Sequence, residues 1–144
     1  MEAALRARMR YIYRMQYPEA FDELLFNSKK EFDAVAPKVQ TAYCIHRLEA
    51  KVNNGGFHQF FLNSSGEYVR ETLQALAAIG AVATRALLER AVSIGFPEGY
   101  PADPQQHQEC LADFDDVADA LNPLDLAFFD YPEPLADLVN DYLG

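Results

Sequence analysis

Positive charge is missing from the last third of this 144-residue chain: between residues 97 and 144 there is no lysine or arginine, against twelve Asp and Glu. A segment of that balance repels nucleic acid and anionic membranes and attracts basic partners. Cysteine is scarce as well. Cys44 and Cys110 are the only two, too few for a disulfide framework, and a reducing cytoplasm is the expected setting. Half the residues are apolar, yet no run approaches the roughly 18 uncharged apolar residues of a membrane helix, so a soluble protein is expected. The N-terminal MEAALRARMRYIYRMQ carries Arg6, Arg8, Arg10 and Arg14 without a continuous apolar stretch or a small-residue cleavage site, which argues against a secretory signal. Two motif absences matter for chemistry. Neither C-x-x-C nor H-x-x-x-H occurs, so no metal is expected, and without G-x-x-x-x-G-K-[ST] no phosphate loop or other cofactor site is expected.

What is present divides unevenly. The first 96 residues hold all 12 basic side chains and 10 acidic ones, so the net charge of −10 resides wholly at one end. The length suits a single domain, 1–144, and a chain of this size buries roughly 68–70% of its unfolded surface without staples. Within it a basic helix near 2–15, a middle region of about 36–96 and an acidic third, 97–144, are distinguished. Helix punctuation recurs. Ser28 with Glu31 and Ser64 with Glu67 have capping-box spacing, Asp103-Pro104 and Asn122-Pro123 read as helix starts, and Gly80 and Gly95 read as stops. The spacing predicts helices over 2–15, 18–26, 29–35, 38–53, 57–62, 67–79, 81–94, 104–121, 123–130 and 134–142. The expected fold is therefore all-α, with about eight to ten short helices.

The densest information lies in VNNGGFHQFFLNSSG, residues 52–66. Ahead of it, Val39, Ala42, Tyr43, Ile45, Leu48 and Val52 recur at three-and-four spacing and describe a buried stripe. Asn53, Asn54, Gly55 and Gly56 then stop the helix, because asparagine tolerates and glycine prefers the left-handed backbone of a helix end. Phe57, Phe60 and Phe61 fall on one face of a short aromatic turn, and Asn63, Ser64, Ser65 and Gly66 form a second corner. An enzymatic alternative would use His46 and His58, with Asn54 nearby, as a hydrolase-like site in a cleft. Cys44 falls inside the apolar stripe, where cysteine packs as a small hydrophobe.

This run, with Leu48-Glu49-Ala50 before it and LQALAAIGA after it, resembles the signature of a bacterial family of helical proteins that includes an acidic DNA mimic, over about Ala36 to the C-terminus. The resemblance implies a homodimer whose acidic surface occupies the DNA-binding face of a helix-turn-helix regulator. It implies no catalytic residues, and it casts the NNGGFHQFF positions as architectural.

On a helical wheel of 104–121, Leu111, Phe114, Val117, Ala118 and Leu121 share one side, while Glu109, Asp113 and Asp116 form an opposite stripe flanked by Asp115 and Asp119. Residues four apart stand about 6 Å apart along a helix, comparable to the roughly 3.4 Å phosphate repeat of one DNA strand. These five carboxylates are the expected contact residues for a basic DNA- or RNA-binding protein, with no nucleic acid bound directly. An immunity or antitoxin-like inhibitor of a basic toxin or nuclease would use the same electrostatics.

Overall fold

The computed structural model describes residues 29–34 and 36–144. The basic helix expected at 2–15, the helix at 18–26 and the Ser28 cap lie outside the described residues. Among the described residues there are seven α-helices and no strand. They are α1 (Lys29–Asp33), α2 (Pro37–Leu62), α3 (Val69–Ala78), α4 (Val82–Gly95), α5 (His107–Cys110), α6 (Phe114–Phe129) and α7 (Leu135–Leu143), with 3-10 turns at Ser64–Tyr68 and Pro104–Gln106. The all-α expectation is met, but the described residues hold seven helices against the eight to ten expected for the whole chain, two of which, at 2–15 and 18–26, lie outside them. Within the described residues eight helices are expected, and two rearrangements make them seven.

The first is at the signature. The helices expected at 38–53 and 57–62 form one kinked helix, α2, because Gly55 (φ −158°, ψ 20°) and Gly56 (φ 78°, ψ −175°) depart from helical geometry without turning the chain back. The Gly56 conformation is accessible essentially to glycine alone. Helix resumes at Phe57, whose freed N–H donates to Asp125 Oδ1 at 2.9 Å. A carboxylate 68 residues away thus does the work of a local N-cap.

The second is at 104–121, which is interrupted at residues 111–113. Ala112 N–H donates to the Gly95 carbonyl at 2.8 Å, and Leu111 is extended (ψ 129°). Tethering the chain to the end of α4 outweighs local helix propensity. Asn122-Pro123 does not open a helix; Pro123 sits inside α6. Pro123 and Asp119 are both exposed, so the carbonyl that the proline leaves without a donor faces water, and the helix continues.

Other corners vary in the same way. The Ser64–Glu67 capping box does not form: Asn63 donates back to the Gln59 carbonyl at 2.8 Å, and Ser65 Oγ donates to the Phe60 carbonyl at 2.9 Å. Asp103 does cap, accepting from Gln105 N–H at 3.0 Å. After α3, Ala81 N–H reaches the Leu76 carbonyl and Gly80 N–H the Ala77 carbonyl, the paired bonds of a Schellman ending. Gly95 is the last residue of α4 itself.

The buried apolar side chains form one cluster running from Phe32 to Leu143, with α2 at its centre. Phe57, Phe60 and Phe61 have no exposed surface. Phe57 meets Phe128 of α6 edge-on at 5.8 Å, and Phe61 meets Phe96 at 5.1 Å. Such pairs contribute roughly 0.5–1.5 kcal/mol each beyond their area burial. At Gly56 an added Cβ would stand 2.5 Å from Asp125 Oδ2. Replacing Gly56 by alanine is therefore expected to strain the backbone and displace the Asp125 cap together, lowering the unfolding free energy in urea titrations by roughly 2–4 kcal/mol, against about 1 kcal/mol for Asp125→Ala.

Candidate functional site

Of the twelve acidic residues from 97 onward, ten are exposed and two, Asp125 and Glu133, are half-buried. The two half-buried ones are occupied with the fold. Glu133, in the link between α6 and α7, accepts from Ala83 N–H (2.7 Å), Thr84 N–H (2.9 Å) and Thr84 Oγ1 (2.6 Å), and so caps the N-terminus of α4. Burial pushes its carboxyl up, but the Thr84 hydroxyl and the two N–H groups outweigh that and hold it below the usual range. Asp125 is shifted the other way. Burial raises it, and its single bond from Phe57 only partly offsets the effect.

Glu109, Asp113, Asp115, Asp116 and Asp119 are all exposed. None has an ion pair or a side-chain hydrogen bond among the described residues. They do not share one helix as the wheel predicts. Glu109 lies on α5, Asp113 is the residue before α6, and Asp115, Asp116 and Asp119 occupy the first turns of α6. Val117 and Leu121 are buried as expected, whereas Leu111 lies in the link outside α6, and Phe114, the first residue of α6, is 52% exposed. Phe114 packs edge-on against His58 instead, ring centroids 5.2 Å apart. Acidic residues in the first turn of a helix complement its dipole. Asp115 and Asp119, however, stand at i, i+4 with no cation between them, an arrangement costing roughly 0.2–0.5 kcal/mol.

The signature braces α6 from behind. Gly56 and Phe57 meet Asp125 and Phe128, and Asn53, at the other side of the kink, donates from Nδ2 to Tyr131 Oη at 2.8 Å. Asn54 and Ser64 are exposed. At the second corner, the buried His107 ring stands with Nδ1 3.0 Å from the Pro104 carbonyl and Nε2 3.0 Å from the Asn63 carbonyl. Gly66 lies against that ring and the Phe61 carbonyl, leaving no room for a side chain.

The two histidines of the enzymatic alternative are not brought together. His46 is buried on the core side of α2 at 3% exposure. His58 is three turns further on, Nε2 3.2 Å from the Ala112 carbonyl. A cleft of about 200 Å³ lies between α1, α2 and α3, lined in part by Phe32, Gln40, Thr41, Cys44, Glu71 and Gln74, and includes neither His58 nor Asn54. Among the described residues no three His, Cys, Asp or Glu side chains are placed to hold a metal ion, and no helix is long and apolar enough to cross a membrane.

A family model described as DMP19-like protein matches residues 33–143. The chain belongs to this family. It is a family of DNA mimics, and the match takes in the whole signature and all five carboxylates. No curated protein and no solved structure matches the chain.

Sequence reasoning did not find Asp125, Glu133, Tyr131 or Glu49. Asp125 and Glu133 act on helix ends 68 and 49 residues away, and nothing local marks such a partner. Tyr131 adopts a left-handed conformation (φ 48°) that its sequence does not announce. Glu49 did carry a signal, since it lies four residues after Ile45 and three before Val52 in the apolar stripe. Burial raises its carboxyl to about 7, with the Tyr131 hydroxyl opposing the shift.

The folded protein therefore holds the Glu49 proton more tightly than the unfolded chain does. That contribution to stability is complete below about pH 4.5 and is lost as pH rises through about 7. Glu49→Gln, neutral throughout, is expected to be more stable than wild type by about 2–3 kcal/mol near pH 8, with the gap closing toward pH 4.5, as read by urea unfolding across that range.

Proposed function

We propose that the chain is a cytoplasmic DNA-mimicking protein that binds a basic DNA-binding protein, such as a helix-turn-helix transcription regulator, by occupying its nucleic-acid-binding face with Glu109, Asp113, Asp115, Asp116 and Asp119. The observation that carries this reading is the exposure of all five carboxylates without an ion pair among the described residues, in a third of the chain that contains no lysine or arginine. Family membership supports it. Asp115 and Asp119 lie about 6 Å apart along α6, within the range of spacings that a phosphate-reading surface meets along and across DNA strands. Unpaired surface carboxylates are already solvated and fixed on a helix, so a cationic partner gains Coulomb energy without first breaking an internal salt bridge. Association on such a surface is steered by charge and weakened by salt. The homodimer implied by the resemblance would present two such faces on one particle. None of this draws on catalytic chemistry.

The test is affinity capture from lysate of the source cell at low salt, with duplex DNA as competitor. A DNA-binding protein should be retained and then released by duplex DNA or by added salt. Changing Asp115, Asp116 and Asp119 together to asparagine should lower its association rate at low salt by at least roughly tenfold while leaving the circular dichroism spectrum unchanged. Retention that is indifferent to the triple substitution and to DNA overturns the reading.

A further inference from the structure

The outer face of α6 is not acidic along its whole length. Leu126 is 54% exposed and Phe129 44%. At 100° per residue, Asp115, Asp119, Leu126 and Phe129 fall within one sector of about 80°, opposite the buried Val117, Leu121, Leu124 and Phe128. From its N-terminal end the strip presents carboxylates, then Asn122, then the Leu126–Phe129 pair, with Asp130 closing the helix. It is about 24 Å long. Single exposed apolar residues are ordinary. Two large ones at i, i+3, in line with a carboxylate row, make a composite surface. A phosphate ridge is hydrophilic, so DNA offers nothing equivalent to the apolar end.

Charge decides what fits there. Asp115, Asp116, Asp119 and Asp130 are exposed around the strip, and no lysine or arginine follows Arg90. A second copy of the same face would set like charges together, and an anionic membrane or nucleic acid would be repelled. A cationic helix with an apolar residue among its basic ones meets both ends of the strip.

Resting on the reading that this acidic face receives a basic protein, we infer that the outer face of α6 docks a basic amphipathic helix, with the carboxylates pairing its Lys and Arg and Leu126 with Phe129 forming an apolar anchor. The two parts do different work. The carboxylates set encounter rate and salt dependence. The anchor excludes water, contributes in proportion to apolar area buried, and does not weaken with salt. Buried aromatic anchors surrounded by polar contacts dominate interface energetics. Such an anchor lets the complex survive salt that would dissolve a charge-only contact, and it selects among basic proteins by shape.

The experiment measures fluorescence anisotropy of the full chain with two labelled synthetic helical peptides of equal length and positive charge. One carries two leucines in the middle of its basic face; the other carries serines there. The leucine peptide is expected to bind wild type roughly tenfold more tightly and to keep most of that advantage as salt rises. Leu126→Ser with Phe129→Ser should abolish the difference and leave the serine peptide's affinity unchanged. Asp115→Asn with Asp119→Asn should flatten the salt dependence of both peptides. Val82→Ser, at a residue 75% exposed on α4, should change neither. Equal binding of the two peptides by wild type, or an equal loss on Val82→Ser, overturns the anchor while leaving the acidic-face reading intact. Binding of neither peptide at low salt overturns both.

Discussion

The hydrogen bond from Phe57 N–H to Asp125, formed across the bare backbone of Gly56, is the contact on which the arrangement of this molecule turns. It restarts α2 after its kink and seats α6 on the kinked segment in one step. Phe57 against Phe128 on one side, and Asn53 donating to Tyr131 on the other, fix the rotation of α6 about its axis. That rotation is what turns Val117, Leu121 and Leu124 inward and leaves Asp115, Asp119, Leu126 and Phe129 outward. The signature and the acidic face are therefore back and front of one construction. The asparagines, glycines and phenylalanines of the signature matter to the surface without being part of it.

The acidic residues divide by environment. Glu133 is ionised more readily than usual because three donors at the start of α4 are aimed at it. Asp125 has one donor, and Glu49 has a tyrosine hydroxyl in an apolar setting; for both, burial wins and the proton is held more tightly. The carboxylates of α5 and the start of α6 are exposed and have no ion pair among the described residues. Asp125 and Glu133 hold helix ends in place, while Asp115, Asp116 and Asp119 face water. A left-handed Tyr131, costing roughly 1–2 kcal/mol, is retained at the junction because its hydroxyl links Asn53 and Glu49.

Helix content, the apolar stripe of α2, the shared helical face of Phe57, Phe60 and Phe61 and the one-sided charge were legible in the sequence. Each is a matter of local period, composition or backbone preference, and so each is carried by neighbouring residues. The family was legible for the same reason, since its signature is contiguous. What misled was local punctuation. Ser64–Glu67 has the spacing of a capping box and Asn122-Pro123 the look of a helix start, but Ser65 and Asn63 bond back into α2, and Pro123 lies on a wet face that tolerates a missing donor.

The sequence alone determined an all-helical chain with an acidic, cation-free end, because charge and period are sums over the residues themselves. Only the tertiary structure decided that Asp125 and Glu133 are spent on distant helix ends, and where the helix of residues 104–121 breaks. Those outcomes depend on hydrogen bonds between groups from 17 to 68 residues apart, Ala112 with Gly95 and Phe57 with Asp125. A pairing at such separation leaves no periodic trace in the chain. It exists only once the aromatic core has brought the helices together.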